Sequence, residues 1–401
     1  MILSTAEQAM LAGQGGEALR RAVEIVVTLG RIYAAERLVP VSSVQVAGVS
    51  YRNLGAAGLE FLQDWAGQGA RVQVPTTLNP AGMDLERWRE LGFGADFAGK
   101  QQQVVAAYTA MGIEPTCTCT PYLVGNLPRY GEHLAWSESS AVSYANSVLG
   151  ARTNREGGPS ALAAAICGRT AAYGLHCDRN RLATHRVMVR CEVRSAHEYA
   201  ALGYWVGRAV TDGVPYLVGL DLPPLDDECQ ASADAAQARD WLKLMGAAMA
   251  ASGAVALYHV EGVTPEARRR GDLCPACAQL VVVDSLDAAL AALNGPVEHI
   301  DLVAIGCPHA SLGELRAVAA ALHERHVRSA LWVTVARGIR EQAQALGLVQ
   351  AIEAAGGHVL ADGCVAVAPM RDLPYRTLAT NSAKMAHYAL PHAGLQVRFG
   401  S

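Results

Sequence analysis

Apolar residues recur at helical spacing over residues 17–35, and Ser4 and Glu7 just before them stand at the spacing of a helix-initiating capping box. The pattern then shifts to short apolar runs. Residues 39–49, 71–74 and 113–118 read as strands, separated by helical runs over 57–67 and 101–111. Residues 136–149 and 160–167 read as two helices packed through small side chains. The stretch LPPLDDECQASAD is polar and turn-rich, which places an exposed connection or soft boundary near residues 221–236. Beyond it, strands are expected at 255–259, 280–283, 302–305, 330–335 and 358–367, with alanine-rich helices between them. Alternation of this kind predicts an α/β fold of largely parallel sheets covered by helices in two or three lobes. The expected division is an N-terminal α/β lobe over 1–225, carrying the polar helical segment, and a C-terminal α/β lobe over 235–401.

At 401 residues and 51% hydrophobic content the chain can bury a large core. The net charge of −4 is spread without a basic run, so nucleic acid is not an expected partner. No apolar stretch reaches the roughly 18 residues of a membrane span, and MILSTAEQAM lacks a basic region followed by an apolar one, so a cytoplasmic protein is expected. Only Lys100, Lys243 and Lys384 are lysine among 33 basic residues, a bias that points to a GC-rich, bacterial genome.

In parallel sheets, sites form beyond the carboxyl ends of strands. Five unusual polar segments fall there: TTLNP (76–80), CTCTPY (117–122), GCPH (306–309), DGCV (362–365) and TNSAK (380–384). Three of them contain cysteine. Any one cysteine reads first as a small buried hydrophobe, but three at strand ends form a candidate iron site that leaves one metal position open. Cys274 and Cys277 form a CxxC pair that would suit zinc or redox chemistry, yet no second pair accompanies it. Polar density peaks over 136–158, where Glu138, Ser139, Ser140, Arg152, Asn154 and Arg155 lie among small residues, a composition suited to an anionic ligand. A capped helix end with an Arg155–Glu156 ion pair is the structural alternative. Lys384, rare by type, is a candidate anion anchor or proton-transfer partner.

The segments GVSYRNLG, VPTTLNPAGMD, CTCTPYLVGN, WSESSAVSYANSVLGARTNREGGPSALAAA, ASGAVALYHVEGVTPE, GCPH and TNSAKMAHY resemble the aconitase X family over nearly the whole chain. The resemblance implies an aconitase-like fold and one large-subunit unit over 1–401. It also implies a hydro-lyase that dehydrates a small hydroxy acid at an iron-sulfur cluster, [4Fe-4S] or [2Fe-2S], or at a mononuclear iron. By motif, the ligands carry over to Cys119, Cys307 and Cys364, with Cys117 as a competitor of Cys119, since two residues apart in a strand share a face. Lys384, Ser382 and Glu138 are the catalytic candidates. Ser50, Thr77, Asn79, Ser139, Ser140, Arg152, Asn154 and Arg155 are the substrate-binding candidates. The resemblance further implies a small swivelling domain that brings a serine base. This domain is not found in the sequence, so a separate small-subunit partner is expected. The arginine-rich composition favours the bacterial reaction, cis-3-hydroxy-L-proline to 1-pyrroline-2-carboxylate. The alternative is dehydration of 5-phosphomevalonate, and a non-catalytic iron-binding or regulatory subunit is the reading from another class.

Overall fold

The computed structural model describes residues 1–225 and 232–401; the expected boundary at 221–236 therefore lies partly outside the described residues. The fold is α/β, with parallel sheets covered by helices.

β1 (Leu38–Pro40) is followed by β2 (Val44–Val46), β3 (Thr76–Leu78) and β4 (Ala135–Trp136). The last three form a parallel sheet in the order β3-β2-β4, while β5 (Arg169–Ala171) returns antiparallel to β1. Residues 71–74 are not a strand: the pairing falls on the threonine-rich TTL that follows, where register with Val44–Val46 outweighs the greater apolarity of RVQV. Residues 113–118 contribute only one isolated bridge, Thr77 to Glu114.

β6 (His185–Val189), β7 (Pro215–Val218), β8 (His259–Val260) and β9 (Gln279–Val283) form a second parallel sheet, ordered β8-β7-β6-β9. Its neighbours Tyr216 and His259 come from either side of residues 226–231. Beside this sheet, helix Ala196–Val210 packs on helix Ala233–Gly253 at backbone distance: a Cβ on Gly253 would stand 1.8 Å from the Gly207 carbonyl oxygen. Only glycine permits that approach.

The third sheet has five parallel strands, β12-β11-β10-β13-β14, built from β10 (Leu302–Ala310), β11 (Ala330–Val335), β12 (Gly357–Ala361), β13 (Thr377–Thr380) and β14 (Gln396–Phe399). Runs such as ALWVTV are apolar at nearly every position because helices cover both faces. The capping box at Ser311 and Glu314 starts the helix that follows β10.

A buried ion pair joins residues on either side of the 226–231 segment. Arg181, 1% exposed, holds Glu266 through Nε at 2.9 Å and Nη2 at 2.8 Å, and donates to Asn146 Oδ1 at 3.2 Å. The polar character of the 136–158 segment is thus partly structural. His176 and His259 are also buried; burial pushes the His176 pKa down to about 3 and lowers that of His259. Both rings are neutral in the fold and take up protons on unfolding once pH falls below 6.5. Their contribution is fully present above that pH and is lost below it, for His176 at about 1.4 kcal/mol per pH unit down to its folded pKa. Thermal melts between pH 6.5 and 5, above the carboxylate range, should show a steady fall in Tm; a flat profile would contradict this burial. Among the described residues, no helix is long and apolar enough to cross a membrane.

Candidate active site

The carboxyl ends of the three-stranded and five-stranded sheets face one another. Ala81, after β3, donates its amide to the Asp362 carbonyl at 2.8 Å and bridges Gly363, after β12. A Cβ on Gly363 would lie 2.7 Å from the Met83 carbonyl carbon, so the two loops touch only because that residue is glycine. Gly306, at the bulge in β10, has a φ of +97° and leaves no room for a Cβ beside the Thr334 carbonyl, 2.1 Å away. It is followed by a cis Cys307–Pro308 bond. The close approach at Gly363 and the bulge at Gly306 place Cys364 and Cys307 beside Cys119.

Cys119, Cys307 and Cys364 are buried and free. Cys119 Sγ accepts the His309 amide at 3.1 Å. The Cys307 and Cys364 thiols are hydrogen-bonded to each other, which lowers the pKa of Cys307 and raises that of Cys364; Lys384 also favours the Cys307 thiolate. Burial pushes the Cys119 thiol up to about 12, with Cys364 and Glu138 adding to the rise. The expectation that Cys117 and Cys119 share a face is corrected: the segment is not a strand, and Cys117 sits at φ +43°. The turn directs Cys117 into the core of the first lobe, near Asp362 and Arg337. Among the described residues, no three Cys, His, Asp or Glu side chains stand preset around a single ion. Even so, three buried, unpaired thiols beside an ammonium are a donor set that fits a soft iron centre.

Lys384 is 8% exposed, on the helix Ala383–Tyr388 that follows β13. Its ammonium pairs with the Glu138 carboxylate and reaches Ser140 Oγ at 3.3 Å and Ser139 Oγ at 3.5 Å. Burial alone would raise the Glu138 pKa, but Lys384, Asn79 at 2.9 Å and the Ser140 amide bring it down to about 2. The same pairing raises Lys384 although burial opposes it, so both groups stay charged. Glu138 also caps the helix Ser139–Ser147, whose N-terminus favours a carboxylate. Asn79 Oδ1 is buried there without a partner.

The structure thus brings Lys384, Glu138, Asn79, Ser139 and Ser140 together beside the thiols. Ser382 is adjacent, but its hydroxyl donates to the Cys307 carbonyl and accepts the Met385 amide at 3.1 Å, which is a helix cap. Ser50 Oγ donates to the Val367 carbonyl at 2.7 Å and joins the facing loops. Thr77 Oγ1 donates to the Val44 carbonyl at 3.3 Å and accepts from Asn126 at 3.1 Å. Arg152 lies at the other end of the three-stranded sheet, in a polar cavity of 310 Å³ with His133, His176, Arg37 and Asp178, where it pairs with Asp178. Asn154 caps the turn at Gly174–His176, accepting the Leu175 amide at 2.8 Å. Arg155 is exposed, and Glu156 bonds Ser160 and Thr170 rather than its arginine neighbour.

Sequence reasoning gave no role to His309, whose ring meets Thr118 and Gly363, or to Lys243, which is buried against Glu314 and the His309 carbonyl. The available signal was the rarity of lysine and the histidine inside GCPH. Cys274 and Cys277 lie away from this cleft, at the start of the edge strand β9.

Three sequence profiles match in succession: the aconitase X first domain over residues 1–179, the second domain over 183–289 and the third domain over 300–401. The phosphomevalonate dehydratase large subunit of Methanothermobacter thermautotrophicus is 50% identical over 98% of this chain and 95% of that protein. The cis-3-hydroxy-L-proline dehydratase of Pseudomonas aeruginosa is 38% identical over 99% of this chain but 68% of that protein. The crystal structure of aconitase X from Thermococcus kodakaraensis, in a holo-form, superposes with a TM-score of 0.89 at 46% identity, covering 100% of this chain and 98% of that one. With its three domains matched in order and relatives aligned end to end, the chain belongs to the aconitase X family of dehydratases, which are hydro-lyases.

Proposed function

We propose that the chain is the large subunit of a 5-phosphomevalonate dehydratase. The observation that carries the substrate is full-length similarity: the chain spans 95–98% of five phosphomevalonate dehydratase large subunits, four at 45–50% identity and one at 37%, against 67–68% of the hydroxyproline enzymes at 36–38% identity. The hydroxyproline reading rested on arginine and alanine content. That bias reflects genome composition and carries no information about the pocket.

Cys119, Cys307 and Cys364 would hold the iron centre. Bound there, iron supplies Lewis acidity toward the leaving hydroxyl. The chain's own groups do the rest. The Lys384 ammonium, held ready by Glu138, anchors the substrate carboxylate, and the free Asn79 Oδ1 accepts a hydrogen bond from the substrate hydroxyl. Ser139 and Ser140 keep the Glu138 carboxylate aimed at Lys384. The exposed Arg155 guanidinium, beside the uncapped N-terminus of the helix Gly158–Cys167, receives the phosphate. A serine of the small partner subunit takes the proton, and a positioned base of this kind contributes roughly 10² to 10⁴-fold.

The test is anaerobic purification with the small subunit, followed by incubation with 5-phosphomevalonate and with cis-3-hydroxy-L-proline, each monitored by mass for loss of water. Dehydration of the phosphorylated acid is expected. Turnover of hydroxyproline alone would overturn the substrate assignment and leave the dehydratase standing.

A further inference from the structure

The three cysteine loops meet at one side chain. His309 is 0% exposed and stands two residues after Cys307. Its Nε2 lies 2.9 Å from the carbonyl oxygen of Gly363, the residue before Cys364. Its Nδ1 lies 2.9 Å from the hydroxyl of Thr118, the residue before Cys119. Its backbone amide donates to Cys119 Sγ at 3.1 Å.

The tautomer follows from the partners. A carbonyl oxygen only accepts, so the proton of the neutral ring is on Nε2 and the lone pair on Nδ1. Thr118 therefore donates its hydroxyl proton to Nδ1, while its oxygen accepts the Thr120 amide at 3.1 Å and the Thr120 hydroxyl at 3.1 Å. Behind the ring, Lys243 holds the His309 carbonyl at 3.3 Å and is fixed by Glu314 and by Asp240 at 3.2 Å. Every polar atom of His309 is thus engaged, and each bond of its ring ends next to a cysteine. A histidine serving as core filler would not need partners on two separate loops.

We propose that His309 is a positioning residue that sets the mutual spacing of Cys119, Cys307 and Cys364 and thereby the affinity of the site for iron. This rests on the reading that those thiols hold iron. Groups that orient metal ligands in this way typically contribute about 10 to 100-fold in metal affinity.

The test uses the full chain co-purified anaerobically with its small subunit and titrated with ferrous iron, with and without inorganic sulfide, against a chromogenic chelator. Visible absorption and Tm are recorded on the same samples. His309→Ala is expected to weaken iron retention by about 10 to 100-fold and to change the absorption of what remains. His309→Gln, with one amide donor and one carbonyl acceptor, is expected to recover part of the loss. Thr118→Val, nearly the same shape but without the hydroxyl, is expected to weaken retention several-fold, and it decides the matter should His309→Ala fail to fold. Folded variants that hold iron within about twofold of the wild type, with the same spectrum and only a lower Tm, would overturn the proposal. Wild-type protein that takes up no iron would instead remove the thiol reading, and this inference with it.

Discussion

Replacing Cys307 with alanine is expected to remove the iron and lower kcat/KM by at least about 10³-fold, because Lewis-acid stabilisation of a leaving hydroxide is worth several kcal/mol and each 1.4 kcal/mol is tenfold in rate. The informative control is Cys117→Ala. Cys117 and Cys119 are two residues apart in one motif, yet the positive φ at Cys117 sends its side chain into the first lobe's core. That variant should keep its iron and its activity and lose only about 1 kcal/mol of packing. Iron analysis of the two purified variants, alongside rates, gives a clear contrast. Equal losses from both, or iron retained at full activity in Cys307→Ala, would show that the thiols do not act as a set.

The second large effect is expected from Lys384→Met. The ammonium is buried with Glu138, and removing one partner of such a pair typically costs 3–5 kcal/mol because the other charge is left without compensation. Activity should fall as well, since the proposed anchor for the substrate carboxylate is gone. The pH dependence has a defined sign. In the wild type the Glu138 pKa lies near 2, below its ordinary 4.5, so its contribution is present above pH 4.5 and is lost as pH falls toward 2. In Lys384→Met the carboxyl is buried without its cation, its pKa rises, and acidification should stabilise the variant relative to neutral pH. Adding Glu138→Gln should restore most of the melting temperature and none of the activity. Recovery of both by the double variant would mean the pair is structural only.

Much of the helical scaffold was legible in the sequence, because amphipathic period and capping chemistry are local. Ser4 and Glu7 form the expected capping box, and the first long helix runs Glu17–Ile32, inside the expected 17–35. β11 matches 330–335 because an apolar run covered on both faces has little ambiguity. Strands of three to five residues were less legible. β3 falls on TTL rather than RVQV, and β6, β7, β13 and β14 carried too little apolar pattern to be read without their neighbours. The helix Ala196–Val210 escaped for a similar reason, as glycines within it serve a close packing that only the partner helix reveals. The cysteine loops, Lys384 and Glu138, singled out from unusual polar segments, lysine rarity and polar density, are brought together by the fold. Polar density alone could not say which end of a sheet a residue occupies, so Arg152 and Asn154 were grouped with Ser139 although they lie at the far end. His309 stayed hidden because its role depends on partners 191 and 54 residues away.

Those separations bear on how the site comes to exist. The amide that meets Cys119 is 190 residues from it, and Lys384 reaches across 246 residues to Glu138. Contacts of such high sequence separation form late, because a long loop must close before they reward the chain. Cys119 is made early, yet a nascent chain holds one corner of the cleft until the last strands have been made. On the proposed reading of the thiols, assembly of an iron centre would follow synthesis of nearly the whole chain, and a C-terminally interrupted product would lack the complete set of donors.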